Sequence, residues 1–315
     1  MSDRKKEFRL LRWRPVQFLV YLILRSVVMV VTMFPHDAAP AIGRFLAWVL
    51  RTLDRKHVRI ALKNVRASAG HLETGDPERF VRRVYRHLML GFVEMLMIPR
   101  LIQQNTLERH IRWVGIDRLE ALLAEGNGVI VTVGHLGSWE MIALAGGRRG
   151  YPLNSVARPI DNPWVNDYLN RFRSSTGQEL ISKYDAVGSM IRALKRKEVL
   201  VVQVDQDARH SGVYVKFFGR PASTHRSPAV LSIKYGAPIV PLNIYREGKL
   251  HYAVAGTTIR PEDYRDEADP VKAIVQEYTR QCEGFVRAHP DQWFWLHDRW
   301  KTAERVARVD AAAVV

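Results

Sequence analysis

The sequence predicts an α/β fold in which helices flank a largely parallel central sheet, with a helical membrane anchor at the N-terminus. Three observations carry that expectation. From about residue 110 onward, short β-branched runs alternate with stretches of helical length, as in strands joined by crossover helices. Near the start of the chain, a long apolar stretch follows a cluster of arginines and lysines. The composition, 47% hydrophobic and 25% charged over 315 residues, is that of a folded protein with one large domain and an appendage.

The anchor comes first. Arg4, Lys5, Lys6, Arg9, Arg12 and Arg14 precede an apolar stretch at 16–34, broken mainly by Gln17 and Arg25. Its length approaches the roughly 20 residues a helix needs to cross a bilayer. Arg25 at mid-membrane would cost about 2.5–3.5 kcal/mol, and no small-residue cleavage pattern marks a removable signal. These residues leave open a marginal crossing, a helix lying in the interface with Arg25 snorkelling, and a buried core helix. Residues 41–53, with Ile42, Phe45, Leu46, Trp48, Val49 and Leu50, are placed to extend the same contact.

The formal charge of +16 suits an anionic partner: nucleic acid, an acidic carrier protein or an anionic membrane surface. Nucleic acid is disfavoured. The basic residues gather beside an apolar anchor, and no helix-turn-helix, zinc-finger or RNP-type signature is present. A single cysteine, Cys282, excludes an internal disulfide and most thiolate metal sites, and fits a reducing compartment.

No internal repeat or low-complexity linker divides the chain. Residues 54–66 read as a basic helix leading out of the anchor. Asp76-Pro77 offers an N-cap with proline at the first helical position, and Phe80, Val84, Leu88 and Phe92 follow at four-residue spacing. Strands are expected at 128–133, 155–157, 199–204 and 239–245, with a weaker one at 252–254. Helices are expected at 139–145, 163–174, 186–197 and 227–235, the last closed by Gly236. Asp269-Pro270 opens another, running towards His289. The chain divides into an anchoring segment at 1–53, a main domain at 54–302 and a tail at 303–315.

The most informative string is Gly134-His135-Leu136-Gly137-Ser138-Trp139-Glu140, directly after the strand at 128–133 and before a helix. A histidine there projects into the crevice at the C-terminal edge of the sheet. Ser138 is a candidate cap, and Glu140 falls in the first turn, from where its carboxylate is expected to fold back onto the imidazole. Such a carboxylate fixes the tautomer and leaves the other ring nitrogen free as a general base. No G-x-S-x-G elbow supplies a nucleophile, so the base would act on a substrate hydroxyl. The spacing alone is weak, since a His and a Glu five residues apart often occur by chance. Zinc would need three ligands where this stretch offers two at most, so no metal is expected.

Other blocks add context. These are Arg59 to Asn64, Arg158-Pro159-Ile160-Asp161-Asn162-Pro163, and Asp205-Gln206-Asp207 with Gly212 to Pro221 after it. Gly236 to Pro241 and the ending Trp293 to Lys301 complete them. With the His135–Glu140 string they resemble, in order and over nearly the whole chain, the bacterial lipid A biosynthesis acyltransferases, relatives of the phosphatidylinositol mannoside acyltransferases. The string itself is similar to the H-x4-(D/E) motif of the wider glycerolipid acyltransferase superfamily.

The resemblance implies a glycerolipid-acyltransferase-like domain without a cofactor, using an acyl thioester as donor, carried by acyl carrier protein or coenzyme A. It implies a membrane glycolipid as acceptor, a lipid A precursor first and a phosphatidylinositol mannoside as the alternative. The place of action is then the cytoplasmic face of the bacterial inner membrane. A crossing with the basic end inside would put the domain away from an intracellular donor, so a monotopic arrangement is preferred.

For the site, the resemblance makes His135 and Glu140 catalytic, and Arg158, Asp205, Gln206 and Arg220 substrate-binding. Arg158 is read as holding the developing oxyanion or a headgroup phosphate. Asp205, at the end of the strand at 199–204, either orients Arg158, contacts an acceptor hydroxyl or is structural. Phe217, Phe218 and Arg220 are placed at the mouth of the site, the two phenylalanines facing either lipid or core. Trp293, Trp295 and Trp300 are expected to pack as a lid over the sheet more than to meet headgroups. His210 and His225 read as bystanders, and Glu94 as paired with an arginine, with no assigned role.

Overall fold

The computed structural model describes residues 13–103, 106–182 and 186–313. Four helices lead: α1 (Arg14–Met33), α2 (Ala39–Leu53), α3 (Arg55–Ala67) and α4 (Pro77–Gln103). The layered part then runs β1 (Ile111–Val114), α5 (Ile116–Glu125), β2 (Val129–Val133), α6 (Trp139–Arg148), β3 (Leu153–Ala157), α7 (Pro163–Ser174) and β4 (Glu179–Ser182). It continues with α8 (Ala186–Lys195), β5 (Val199–Gln203), the hairpin strands β6 (Val213–Phe217) and β7 (Arg220–Thr224), α9 (Ser227–Tyr235), β8 (Ile239–Glu247) and β9 (Leu250–Ala255). Helices α10 (Pro270–Ala288) and α11 (Lys301–Ala313) close the described chain.

The central sheet has the order β1-β9-β8-β2-β5-β3-β4, with β6 and β7 forming a separate antiparallel pair. Among the described strands of the sheet, only β8 and β9 pair antiparallel; the other pairings are parallel. The expected α/β fold is therefore present. β2 is buried at every residue, as its continuous apolar run requires of a strand covered on both faces. The chain leaves β2 for β3, skips a place, and later fills it with β5. That crossing opens a crevice at the C-terminal ends of β2, β5 and β3.

Asp76, Asp269 and Gly236 cap as the sequence announces, Asn162 is a further cap, and Ser138, the candidate cap of α6, makes no side-chain capping bond. Asp76 accepts from the backbone N–H groups of Glu78 and Arg79 at 3.2 Å. Asn162 caps α7 through Trp164 and Val165, and Asp269 caps α10 through Lys272. Gly236 ends α9 at φ 66°, in the left-handed region that glycine enters freely. Strands β1 and β4 and the β6–β7 hairpin were not expected. They are short and half-exposed or exposed in part, so their apolar signal is thin.

α1 is long and apolar enough to cross a membrane by length and composition. One side of it packs on the protein. Val31 is buried with Val93, Leu96 and Met97 of α4. Phe18 meets Trp164 of α7 at 5.5 Å, and Asn162 Nδ2 donates to Gln17 O at 2.8 Å. Arg25 is exposed, donates to Tyr21 Oη at 3.1 Å and lies 5.0 Å over the Tyr168 ring, so two tyrosines contact the charge at mid-helix. The rest of α1 is open, with Leu19, Ile23, Met29 and Val30 exposed, and Phe45, Trp48 and Leu53 of α2 add to the apolar surface.

The ending Trp293 to Trp300 is core. Trp293, Trp295 and Trp300 are fully buried and join Phe217, Phe218, Phe80 and Tyr85 in one cluster. The tryptophans settle on the packing side of their alternative, among α3, α4, α10 and the β6–β7 hairpin and not as a lid over the central sheet. The phenylalanines settle on the core side of their alternative. Asn64 ties α3 to this segment, its amide donating to Trp295 O at 3.0 Å and His297 O at 2.8 Å. The 302/303 division falls inside α11, whose Glu304 pairs with Lys63 and Arg220.

Candidate active site

His135 and Asp205 meet because of strand register. Val133 of β2 pairs with Gln203 of β5, and each functional residue lies two positions beyond its strand partner. His135 Nδ1 lies 2.7 Å from Asp205 Oδ1. The backbone N–H of His135 donates to Asp205 Oδ2 at 2.6 Å, and the Trp293 indole N–H donates to the same oxygen at 2.7 Å. Both residues are buried, and the aspartate side chain is 2% exposed. Burial opposes ionisation of Asp205. The neighbouring His135 charge and these three hydrogen bonds outweigh it, holding the carboxyl well below the usual carboxylate range. A charged Asp205 on Nδ1 keeps that nitrogen protonated and leaves Nε2 as the basic one. Nε2 lies 3.2 Å from the Gln206 amide nitrogen, which donates to it.

The loop bearing His135 is held by hydrogen bonds on both sides. Its backbone pairs with the C-terminal segment: Gly137 N–H donates to Gln292 O at 3.0 Å, and Phe294 N–H donates to His135 O at 2.9 Å. Gly134 N–H donates to the Asn243 side chain at 3.0 Å. A Cβ at Gly134 would come within 3.0 Å of Asn243 Oδ1 and Cys282 Sγ. Gly137 has φ 56°, and a Cβ there would run into the carbonyl of Ile244. The ring of Trp139 stands edge-on to the imidazole, with centroids 5.1 Å apart.

Glu140 does not reach His135. Its carboxylate makes a two-pronged ion pair with Arg173 of α7, with contacts of 2.5 and 3.0 Å. The correction has a clear cause: the left-handed turn at Gly137 starts α6 at Trp139 and aims its first turn at α7, while β5 brings Asp205 to the imidazole. Glu94, on α4, is buried and salt-bridged to Arg246, as expected of it, and also lies 3.4 Å from the Ser138 hydroxyl. Sequence reasoning missed the Asp205–His135 contact and the part of Trp293, because both depend on sheet order and on the packing of the chain's end.

Arg220 is also corrected. It sits at the base of the β6–β7 hairpin, pairs with Glu304 at 2.7 Å and stacks 4.4 Å over Trp300. It is held by the fold and does not line the crevice. Arg158 follows β3, is exposed at the rim, and has no hydrogen-bond or ion-pair partner among the described residues. Asp207 accepts from Thr302 Oγ1 at 2.6 Å, and its backbone N–H donates to His297 Nε2 at 2.8 Å, so it anchors the loop after β5. Among the described residues, no group of three or more His, Cys, Asp or Glu side chains is arranged to hold a metal ion.

Two cavities flank this centre. One, of about 320 Å3, is lined by His135, Arg158, Ser155, Gln178, Gln203 and Gln206 among others. The second, of about 240 Å3, is walled by apolar side chains of α4, α6 and α7, including Leu88, Phe92, Met95, Ile98, Met141 and Phe172. Trp139, Glu140 and Arg173 line both. A protonatable nitrogen thus stands in a polar chamber that shares one wall with an apolar one. Chemically, the arrangement suits removal of a proton from a polar substrate beside a bound hydrocarbon chain.

Comparison with known proteins gives the same direction. A family profile described as bacterial lipid A biosynthesis acyltransferase matches residues 2–302. The chain is 24% identical to the lipid A biosynthesis lauroyltransferase of Escherichia coli over 284 residues, 88% of this chain and 90% of that one. It is 24% identical to the lipid A biosynthesis acyltransferase 2 of Shigella flexneri over 306 residues, 96% and 95% respectively. It is 26% identical to the phosphatidylinositol mannoside acyltransferases of two Mycobacterium tuberculosis strains, over 190 and 213 residues. Those matches cover 59% and 66% of this chain, and 58% and 66% of the relatives, less than two thirds of their length.

Proposed function

This chain belongs to the bacterial lipid A biosynthesis acyltransferase family, and on that premise we propose that it moves a fatty acyl group from a thioester to a glycolipid hydroxyl. The single observation that carries the reading is the position of His135 Nε2. Its other nitrogen is bonded to a buried carboxylate, and the ring lines a polar cavity whose wall is shared with an apolar one.

In this reading the acyl chain lies in the apolar cavity and the acceptor headgroup in the polar one. Nε2 takes the proton of the acceptor hydroxyl as that oxygen attacks the thioester carbonyl carbon. Asp205 stabilises the imidazolium that forms. The Gln206 amide, released from Nε2, donates to the carbonyl oxygen as it gains charge. The tetrahedral intermediate then collapses with rupture of the C–S bond, and the imidazolium returns its proton to the departing thiolate. The product is an ester plus the free thiol. Arg158, exposed at the rim, meets a phosphate on the headgroup. Glu140 acts on substrate only through Arg173, as a brace between the two cavities.

The acceptor proposed first is a lipid A precursor and the donor an acyl carrier protein, with a phosphatidylinositol mannoside and acyl-CoA as the alternative pair. The relatives of both names support the choice of a glycolipid. The open apolar faces of α1 and α2, next to a basic chain, support a monotopic seat on a membrane, and an intracellular acyl donor would put that seat on the cytoplasmic side of the inner membrane. Arg25, held by Tyr21 and Tyr168, and the docking of α1 on α7 favour a helix lying along the surface over one crossing alone.

The test is acyl transfer by wild type and His135→Ala to a tetra-acylated lipid A precursor, with labelled acyl carrier protein and acyl-CoA offered separately. Transfer from the carrier that falls at least 1,000-fold in a folded His135→Ala protein is the expected result. Activity of that variant within a few-fold of wild type sinks the mechanism.

A further inference from the structure

The ending Trp293 to Trp300 packs as core, and it also holds both halves of the site. On one side, Phe294 N–H donates to His135 O at 2.9 Å, and Leu136 meets Trp293 in an isolated antiparallel bridge. On the other side, the same segment holds each residue of Asp205-Gln206-Asp207. The Trp293 indole donates to Asp205 Oδ2 at 2.7 Å, Arg299 Nη1 donates to Gln206 O at 3.2 Å, and His297 Nε2 accepts from Asp207 N–H at 2.8 Å.

The last two contacts meet on one peptide group. Gln206 O and Asp207 N–H are the two polar ends of the planar amide that joins these residues. With its carbonyl on Arg299 and its N–H on His297, that plane cannot rotate without breaking both bonds. Fixing the plane fixes the backbone on the C-terminal side of Gln206, and with it the rotamers open to that side chain. The Gln206 amide nitrogen then stands 3.2 Å from His135 Nε2.

Both sides of the grip are themselves held. Arg299 is fully buried and also donates to Ser223 O and Thr224 Oγ1 of β7. The His297 carbonyl accepts from Asn64 Nδ2 at 2.8 Å and from Arg299 N–H at 2.9 Å. Burial holds the His297 ring below its ordinary value, so it stays neutral. Nε2, carrying no proton, remains an acceptor. His297 lines neither of the two cavities beside His135, so its effect on substrate is indirect.

We propose that His297 is a positioning residue for acyl transfer, acting through Gln206: it fixes the peptide plane after Gln206 and so aims the amide that serves the oxyanion. The proposal rests on the acyl-transfer reading above and deepens it.

Arg299 is too deeply buried to remove without risk to folding, so the test falls on His297, in the full-length protein. It is a double-mutant cycle on transfer from acyl carrier protein to the tetra-acylated lipid A precursor, with Tm as the control for folding. His297→Leu is expected to lower kcat about 10- to 100-fold, the effect of moving a catalytic group by about an ångström. KM for donor and acceptor stays within twofold. His297→Gln, whose amide oxygen offers Asp207 N–H an acceptor at similar reach, keeps kcat within threefold of wild type. Gln206→Ala alone lowers kcat about 100- to 1,000-fold. Adding His297→Leu to it costs under threefold more, because the group that His297 aims is already gone.

Equal fold losses in the wild-type and Gln206→Ala backgrounds overturn the proposal, since His297 then acts elsewhere. So does a His297→Leu protein with wild-type kcat, or a His297→Gln protein as slow as His297→Leu. Any of these beside robust wild-type transfer that is lost in His135→Ala removes the positioning role and leaves the acyl-transfer reading standing. A wild-type protein that transfers no acyl group from either thioester takes both down.

Discussion

Replacing Asp205 by asparagine separates the two jobs that the aspartate does for His135. Its Oδ2 accepts from two N–H groups, His135 N and Trp293 Nε1, and its Oδ1 faces Nδ1. An asparagine has one oxygen for these two places. If the oxygen stays with the two N–H donors, its NH2 faces Nδ1, and the imidazole proton moves to Nε2, where the base is needed. If the oxygen turns to Nδ1, the NH2 group confronts two buried donors, at about 1–3 kcal/mol for each one left unsatisfied. The first arrangement therefore wins by roughly 2–6 kcal/mol. At about 1.4 kcal/mol per decade, the productive tautomer falls by a factor of roughly 30 to 10^4, and kcat should fall with it. The assay is single-turnover transfer from acyl carrier protein, with circular dichroism and Tm as controls for folding. A folded Asp205→Asn protein with kcat within threefold of wild type refutes the role given to this carboxylate. The same variant carries a pH signature. The folded carboxyl is held below its ordinary value of 3.8, so it adds stability that is complete above that value and drains away as pH falls through the folded value. The Tm advantage of wild type over Asp205→Asn should accordingly narrow between pH 5 and pH 3.

Glu140→Gln should lose less activity than Asp205→Asn, about 10- to 100-fold, because it breaks the partly buried pair with Arg173 and leaves the imidazole tautomer untouched; the reverse ranking in kcat removes the assignment of Asp205 as the orienting group. His251 is held down to about 3 by burial and by the Arg246 cation, so below pH 6.5 the unfolded chain takes up a proton that the folded one does not. On acidification from pH 6.5 to 5, His251→Gln should spare the protein a loss on the order of 2 kcal/mol, read from urea unfolding at each pH; parallel pH profiles for the two proteins argue against a neutral buried His251. Phe45→Glu with Trp48→Glu alters two exposed side chains of α2 and should abolish most flotation with anionic vesicles while Tm moves by under about 2 °C. Unchanged flotation means that α2 lies away from the lipid.

Most of the sheet was legible because its central strands are buried on both faces and read as short β-branched runs, as at Val129 to Val133 and Val199 to Gln203. The helix at Pro163–Ser174 is marked at its start by Asn162 and Pro163, and the one at Ser227–Tyr235 at its end by Gly236. What the sequence hides is adjacency. That β5 lies between β2 and β3 decides which carboxylate meets His135, and no local pattern encodes it. Spacing favoured Glu140, since five residues across a strand–helix turn are close along the chain; the backbone at Gly137 then turns that side chain away. Arg220 misled for a related reason: a guanidinium beside two phenylalanines resembles a mouth, but Trp300 and Glu304, some eighty residues later, close over it.

The division between the two carboxylates also explains why both sit near one histidine. Asp205 is buried and fully hydrogen-bonded, so it can stabilise a charge on the ring without inviting water. Glu140 is about a fifth exposed, and its bond to Arg173 spans the wall common to the polar and apolar cavities. An ion pair in that position is well placed to keep a hydrocarbon chain and a sugar headgroup in register while excluding each from the other's chamber, because an acyl tail gains nothing from a guanidinium–carboxylate pair that a headgroup can still touch. The base serves the proton; the brace serves the meeting of two substrates of opposite polarity. On this account, loss of Glu140 should appear first as acyl transfer to water in place of the acceptor, and loss of Asp205 as failure of both.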